Sequence, residues 1–159
     1  MAAKKNYWLM KSEPYVYSID DLKRDKTSYW DGVRNFQARN NMMEMKVGDG
    51  VFFYHSNADP KAIVGIARVC KESYPDHTQF EKDNKYYFPR ATKEKPYWYM
   101  VDIEFVRKFD EPWSLGMLRE IDALRDMALL KKGQRLSVQT VTKDEWKVVC
   151  KLAGVPQTV

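Results

Sequence analysis

The sequence predicts an α+β fold, a barrel of about five to six mainly antiparallel strands with short helices packed around it. Three observations predict it. Apolar runs of strand length interleave with short helical patterns, without the regular β-α-β spacing of a doubly wound sheet. The runs are nearly continuous in hydrophobicity, as strands covered on both faces are. The 159 residues are 44% hydrophobic and 31% charged with only 7 glycines and 7 prolines, which suits one globular domain and excludes collagen-like and largely disordered classes. One unit over 1–159, with its core from about residue 6 to 154, is the expectation.

Each element has a local reason. Tyr7-Trp8-Leu9-Met10-Lys11 is a first strand, ended by Ser12-Glu13-Pro14 because proline cannot continue the pairing. Ser18-Ile19-Asp20-Asp21 offers a Ser-x-x-Asp helix start, with the helix running to about Asp25. Thr27 to Trp30 is a short extended piece. Arg34 to Met45 has no breaker and is rich in helix formers, ending before Val47-Gly48-Asp49-Gly50. Val51 to His55 and Ala62 to Cys70 read as a hairpin around Asn57-Ala58-Asp59-Pro60. Asp76 to Lys85 is polar, a loop or short helix, and Tyr97 to Val106 is a strand with Tyr97, Tyr99, Val101, Ile103 and Phe105 on one face. The spacing of Leu115, Leu118, Ile121, Leu124, Met127 and Leu130 predicts two short helices within Trp113 to Lys132, broken near Asp122. A last short strand around Leu136 to Val138 precedes the Thr142-Lys143-Asp144-Glu145 capping box, whose helix carries Trp146, Val149 and Ala153 on one face and closes at Gly154.

Several function classes fall away. No apolar run would span a bilayer, and Met1-Ala2-Ala3-Lys4-Lys5 opens no signal peptide, so an intracellular address is expected, cytoplasmic in a bacterium or nuclear in a eukaryote, with no membrane partner. Cys70 and Cys150 lie far apart in apolar contexts and read as buried reduced thiols. Neither a Walker motif nor a glycine-rich dinucleotide fingerprint occurs. His55, His77, Cys70 and Cys150 give no compact ligand spacing, so neither metal nor cofactor is expected. His55 has a general-base reading and a plainer one as a hydrogen-bonded strand-end histidine, which is preferred because no nucleophile motif accompanies it. A net charge of +5 favours polyanions weakly, while 14% aromatics, with 5 tryptophans and 10 tyrosines, exceed what an ordinary core of this size needs.

Four stretches are similar to signature segments of the EVE-domain family, in that family's order: Tyr7 to Pro14, Trp30-Asp31-Gly32-Val33-Arg34-Asn35-Phe36-Gln37-Ala38-Arg39-Asn40, Gly48-Asp49 followed by Tyr54-His55-Ser56-Asn57, and Arg135-Leu136-Ser137-Val138-Gln139. With Val64-Gly65-Ile66-Ala67 and the strand from Trp98 to Asp102, the similarity runs from about Tyr7 to about Gly154. Thr140 departs from it, where relatives often carry proline. The resemblance implies a PUA-like, partly open barrel, related to YTH and ASCH domains, and an association with DNA or RNA carrying a modified base such as 5-methylcytosine or 5-hydroxymethylcytosine. In YTH relatives a base is flipped into an aromatic cage, and the Tyr29-Trp30 step is similar in placement to one cage tryptophan.

A captured base needs stacking, edge recognition and phosphate contacts. Trp30 is the expected stacking residue, with Trp8, Tyr54 or Trp98 on another face; for Trp8 core packing is the stronger reading. Ser12, Asn35 and Gln139 would read the base edge and Val33 an added methyl group, although Ser12 also reads as a turn residue and Asn35 as a helix cap. Lys11, Arg34, Arg39 and Arg90 are the phosphate candidates. Trp30, beside the Asp31-Gly32 turn, is expected to serve the pocket more than the core, so that its loss would leave thermal stability nearly unchanged. No catalytic residue is assigned, and a monomeric, non-enzymatic reader is the primary expectation. An ASCH-like hydrolase of modified nucleosides, using Lys11 with Glu13 or Glu104, and a protein-interaction module are the alternatives.

Overall fold

In the computed structural model, which describes residues 5–133 and 135–159, six strands form one mixed sheet. They are β1 (Tyr7–Ser12), β2 (Thr27–Tyr29), β3 (Gly50–His55), β4 (Ala62–Pro75), β5 (Tyr99–Ser114) and β6 (Val138–Val141), in the order β2-β5-β4-β3-β1-β6. β1 runs parallel to β3, and the other pairings are antiparallel. The end strands β2 and β6 are not joined, so the barrel stays open, as expected for this α+β class.

Period-two alternation explains the unbroken apolar runs. Trp8 and Met10 of β1 and Val51 and Phe53 of β3 enter one core cluster, while Leu9, Phe52 and Tyr54 enter another on the opposite face. Helices α1 (Ile19–Asp25) and α2 (Phe36–Glu44) cover the first cluster through Ile19, Leu22, Ala38 and Met42. Helices α3 (Leu115–Arg119) and α4 (Lys143–Ala153) cover the second through Leu118, Trp146, Val149 and Cys150. The Trp146 indole stacks on Tyr7 at 4.6 Å and Phe52 at 4.1 Å. A Cβ at Gly50 would lie 2.8 Å from that indole, so the strand passes there only as glycine.

The expected capping boxes are both formed, at Ser18 with Asp21 and at Thr142 with Glu145. Three expectations need correction. β4 and β5 extend to 14 and 16 residues, well past Cys70 and Val106, because Lys71 to Pro75 pairs with Asp102 to Tyr99 and the stretch after Val106 pairs with the start of β4, in both places through bulges. Trp113 belongs to β5 instead of opening a helix, Ser114 both ends β5 and caps α3 by accepting from Met117 N–H, and the following segment forms α3 and two 3₁₀ turns, Asp122–Leu124 and Ala128–Leu130. The last strand begins at Val138, where it pairs with Met10, and not around Leu136. Both cysteines are free thiols, Cys150 buried and Cys70 only partly so. Among the described residues no helix is long and apolar enough to cross a membrane.

Candidate nucleic-acid interface

A cleft of about 1200 Å³ opens at the C-terminal ends of the parallel pair β1 and β3, bounded by the β1-α1 loop, the turn from β2 to α2 and the segment leading into β6. The rims are tied together by backbone. Ser56 N–H donates to the Ser12 carbonyl at 3.0 Å and Lys11 N–H to the Ser137 carbonyl at 2.9 Å, while Val16 and Tyr17 N–H groups close the turn onto the Glu13 carbonyl. The Ser12 hydroxyl donates to the Tyr17 carbonyl at 2.6 Å, so at this cleft-lining residue the oxygen remains available only as an acceptor.

The second wall is the Trp30-Asp31-Gly32 turn, fixed on both sides. Trp30 N–H donates to the Val101 carbonyl at 2.8 Å and Gly32 N–H to Asp76 Oδ2 at 2.8 Å. Gly32 has φ +79°, and a Cβ there would meet the Tyr86 ring at 2.6 Å, so both the backbone conformation and the close approach require glycine. Asp76, fully buried, also accepts from Thr78 N–H, the Thr78 hydroxyl and Arg34 Nη1. Burial opposes its ionisation, but these bonds outweigh that cost and hold its carboxyl below the usual range. Trp30 is 8% exposed; its ring meets Phe53 edge to face at 5.5 Å and still borders the cleft.

The cleft gathers Trp30, Ser12, Val33, Tyr54, Lys11 and Arg34 from among the expected residues. The others are placed elsewhere. Trp8 is core and donates its indole N–H to Asp49 at 3.0 Å. Trp98 is buried against Phe36 and Phe88. Gln139 is 1% exposed and its amide donates to the Leu136 carbonyl. Asn35 caps α2 by accepting from Ala38 N–H, which is its plainer reading. Arg39 bonds the Tyr97 carbonyl and lies over the Phe36 ring, and Arg90 is exposed away from the cleft. Arg34 borders the cleft, yet its five N–H groups are donated to the Val33 carbonyl, Asp76, Thr78 and, twice, the Tyr86 carbonyl, so it braces the wall and has no donor left for a phosphate. Trp30 itself belongs to the first core cluster, which corrects the expectation that its loss would spare stability.

Lysine and arginine side chains that sequence reasoning did not single out complete the rim: Lys61, Arg119, Lys131 and Arg135. Arg135 opens one of the signature stretches and was open to recognition; the other three come from loops and α3, where spacing carries no signal of convergence. Burial, then the nearby Lys61 charge, lowers the Lys11 pKa, and its ammonium lies 5.7 Å from the Tyr54 ring centre. Of the acid-base set considered for hydrolysis, Lys11 and Glu13 border the cleft while Glu104 is ion-paired with Arg68 outside it. Glu13 is held below its usual pKa by hydrogen bonds from Tyr15 and then Asn57, which makes it a poor proton donor.

His55 accepts the Ile19 N–H at 3.1 Å, the structural role preferred from sequence. Burial lowers its pKa, so the imidazole is neutral in the fold while the unfolded one protonates near pH 6.5. Its contribution to stability is present above about pH 6.5 and is lost as pH falls from there through the lower folded value. The midpoint of thermal unfolding, followed by circular dichroism, should fall over that window, and His55→Gln should flatten the fall.

Comparison with known proteins agrees with this architecture. A family model described as EVE domain matches residues 6–152. Thymocyte nuclear protein 1 of Mus musculus is 44% identical over 166 residues, covering 92% of this chain and 73% of that protein. A crystal structure of a Pseudomonas syringae protein superposes with TM-score 0.90 at 45% identity, over 92% of this chain and 99% of that one. The crystal structure of human THYN1 protein in complex with 5-methylcytosine containing DNA superposes with TM-score 0.89 at 41% identity, over 96% and 99% of the two chains.

Proposed function

We propose that this chain, which belongs to the EVE-domain family, is a non-enzymatic reader that takes one modified base of DNA out of its stack and holds it in the cleft beside Trp30. The observation that carries the reading is a single cleft joining an apolar and aromatic wall of Trp30, Val33 and Tyr54 to a rim of Lys11, Lys61, Arg119, Lys131 and Arg135. Its volume of about 1200 Å³ exceeds the usual range for small-ligand sites and leaves room for a nucleotide with part of its backbone. The THYN1 complex with 5-methylcytosine containing DNA, a relative of the same fold, supports the choice of ligand.

The division of labour follows from the chemistry. Opening a base pair costs a few kcal/mol, and stacking on an aromatic ring returns about 1 to 3 kcal/mol. A 5-methyl group against Val33 adds about 1 kcal/mol or somewhat more, so preference over unmodified cytosine is about tenfold. The rim cations attract the backbone without regard to sequence, and each phosphate they neutralise steepens the salt dependence. Lys11, whose charge is disfavoured by burial and by Lys61, gains most from an anion beside it.

Fluorescence anisotropy on oligonucleotides with one 5-methylcytosine or one cytosine, at several salt concentrations, tests this. A preference for the methylated strand is expected, and Lys61→Ala and Arg135→Ala should each lower the magnitude of the log K against log salt slope by about 1 while leaving the preference intact. Equal affinity for the two strands would overturn the reading, and tighter binding to methylated RNA than to methylated DNA would replace DNA as the partner.

A further inference from the structure

Four carboxylates border the cleft, and three of them are occupied. Glu13 accepts from the Tyr15 hydroxyl and the Asn57 amide, Asp25 from Tyr17 and Arg24, and Asp102 from the Tyr74 hydroxyl. Asp31 accepts no hydrogen bond from any other described residue. The guanidinium nearest in sequence, that of Arg34, is consumed by Asp76 and its other acceptors. Asp31 is also held in place, because the peptide groups of Trp30 and Gly32 on either side of it are pinned to Val101 and Asp76.

We infer that Asp31 reads the exocyclic amine of the captured base and thereby separates 5-methylcytosine from thymine; this rests on the base-capture reading above. The two pyrimidines carry the same 5-methyl group on rings of the same shape, so neither stacking on Trp30 nor contact with Val33 distinguishes them. They differ at C4, where cytosine presents an amine donor and thymine a carbonyl acceptor. A carboxylate accepts from the amine and repels the carbonyl, and in a half-buried position water does not relieve the mismatch. Burial, reinforced by the Asp76 charge, raises the Asp31 carboxyl above the usual range, as expected of an acceptor that lacks a donor until a ligand supplies one.

The test compares dissociation constants for duplexes identical except for one 5-methylcytosine·guanine or thymine·adenine pair, measured on the wild-type chain, Asp31→Asn and Asp31→Ala, with thermal midpoints recorded for each. Taking the ratio of ratios between proteins cancels the different costs of opening the two pairs. Wild type should prefer 5-methylcytosine over thymine, and Asp31→Asn, whose amide both donates and accepts, should reduce that preference roughly 10- to 100-fold with the midpoint unchanged. Asp31→Ala should weaken 5-methylcytosine binding and strengthen thymine binding, because the donor on one base loses its acceptor and the carbonyl on the other loses its repulsion. A merely structural role would weaken both duplexes equally, so an unchanged ratio in both variants overturns the assignment of Asp31 while leaving base capture standing. Wild-type affinity that is indifferent to methylation would sink base capture and this inference with it.

Discussion

Trp30→Ala is expected to weaken binding to a 5-methylcytosine oligonucleotide by about 10- to 100-fold, the equivalent of about 1 to 3 kcal/mol of lost base stacking. The same substitution also removes a core side chain. At 8% exposure and in edge-to-face contact with Phe53, the indole contributes packing whose loss costs about 3 to 5 kcal/mol of stability. The two effects separate by experiment: binding is measured at a temperature where circular dichroism shows the variant folded. Trp30→Phe should recover much of the stability, since an aromatic ring remains over Phe53, and only part of the affinity. A folded Trp30→Ala that binds like wild type would remove the indole from the binding wall.

Asp76→Ala is expected to destabilise the chain by about 3 to 5 kcal/mol. The side chain is wholly buried and accepts from Gly32 N–H, Arg34, Thr78 N–H and the Thr78 hydroxyl. Its removal leaves an arginine with a side chain only 20% exposed facing no counter-charge, and frees the Gly32 backbone that sets the turn. Urea unfolding measures the loss, and Arg34→Met in the Asp76→Ala background should restore part of it by removing the stranded charge. Binding should fall with stability, because Trp30 and Asp31 lie on the turn that Asp76 holds. A change within about 0.5 kcal/mol would mean that the Asp76 and Arg34 cluster does not hold the wall.

Much of the fold was legible because its signals are local. Ser18 and Thr142 announce their helices by hydrogen bonds made within four residues, and β1 and β3 announce two covered faces by their unbroken apolar runs. The extension of β5 to Ser114 was not legible, because the polar stretch from Arg107 to Glu111 looks like a loop until Arg107 and Lys108 pair with Ile66 and Gly65 of β4 and a bulge carries the strand on to Trp113. The cleft was legible only in part. Ser12, Val33 and Tyr54 lie inside signature stretches and reach it, but Trp8 and Trp98 do not, since an indole in an apolar strand has the same sequence pattern whether it packs or binds. Arg34 looked like a free cation because the acceptors that occupy it, Asp76, Thr78 and Tyr86, lie more than forty residues away in sequence. Lys61, Arg119 and Lys131 were hidden for the same reason: only the folded chain brings them to one rim.

The most direct measurement is a co-crystal structure of the chain with a duplex containing one 5-methylcytosine. That base is expected to be extruded from the helix, its ring against Trp30, its 4-amino nitrogen about 2.7 to 3.2 Å from the Asp31 carboxylate and its flanking phosphates among Lys11, Lys61 and Arg135. A methylated base still stacked in the duplex, with the protein held to the backbone and no base between Trp30 and Ser12, would contradict it.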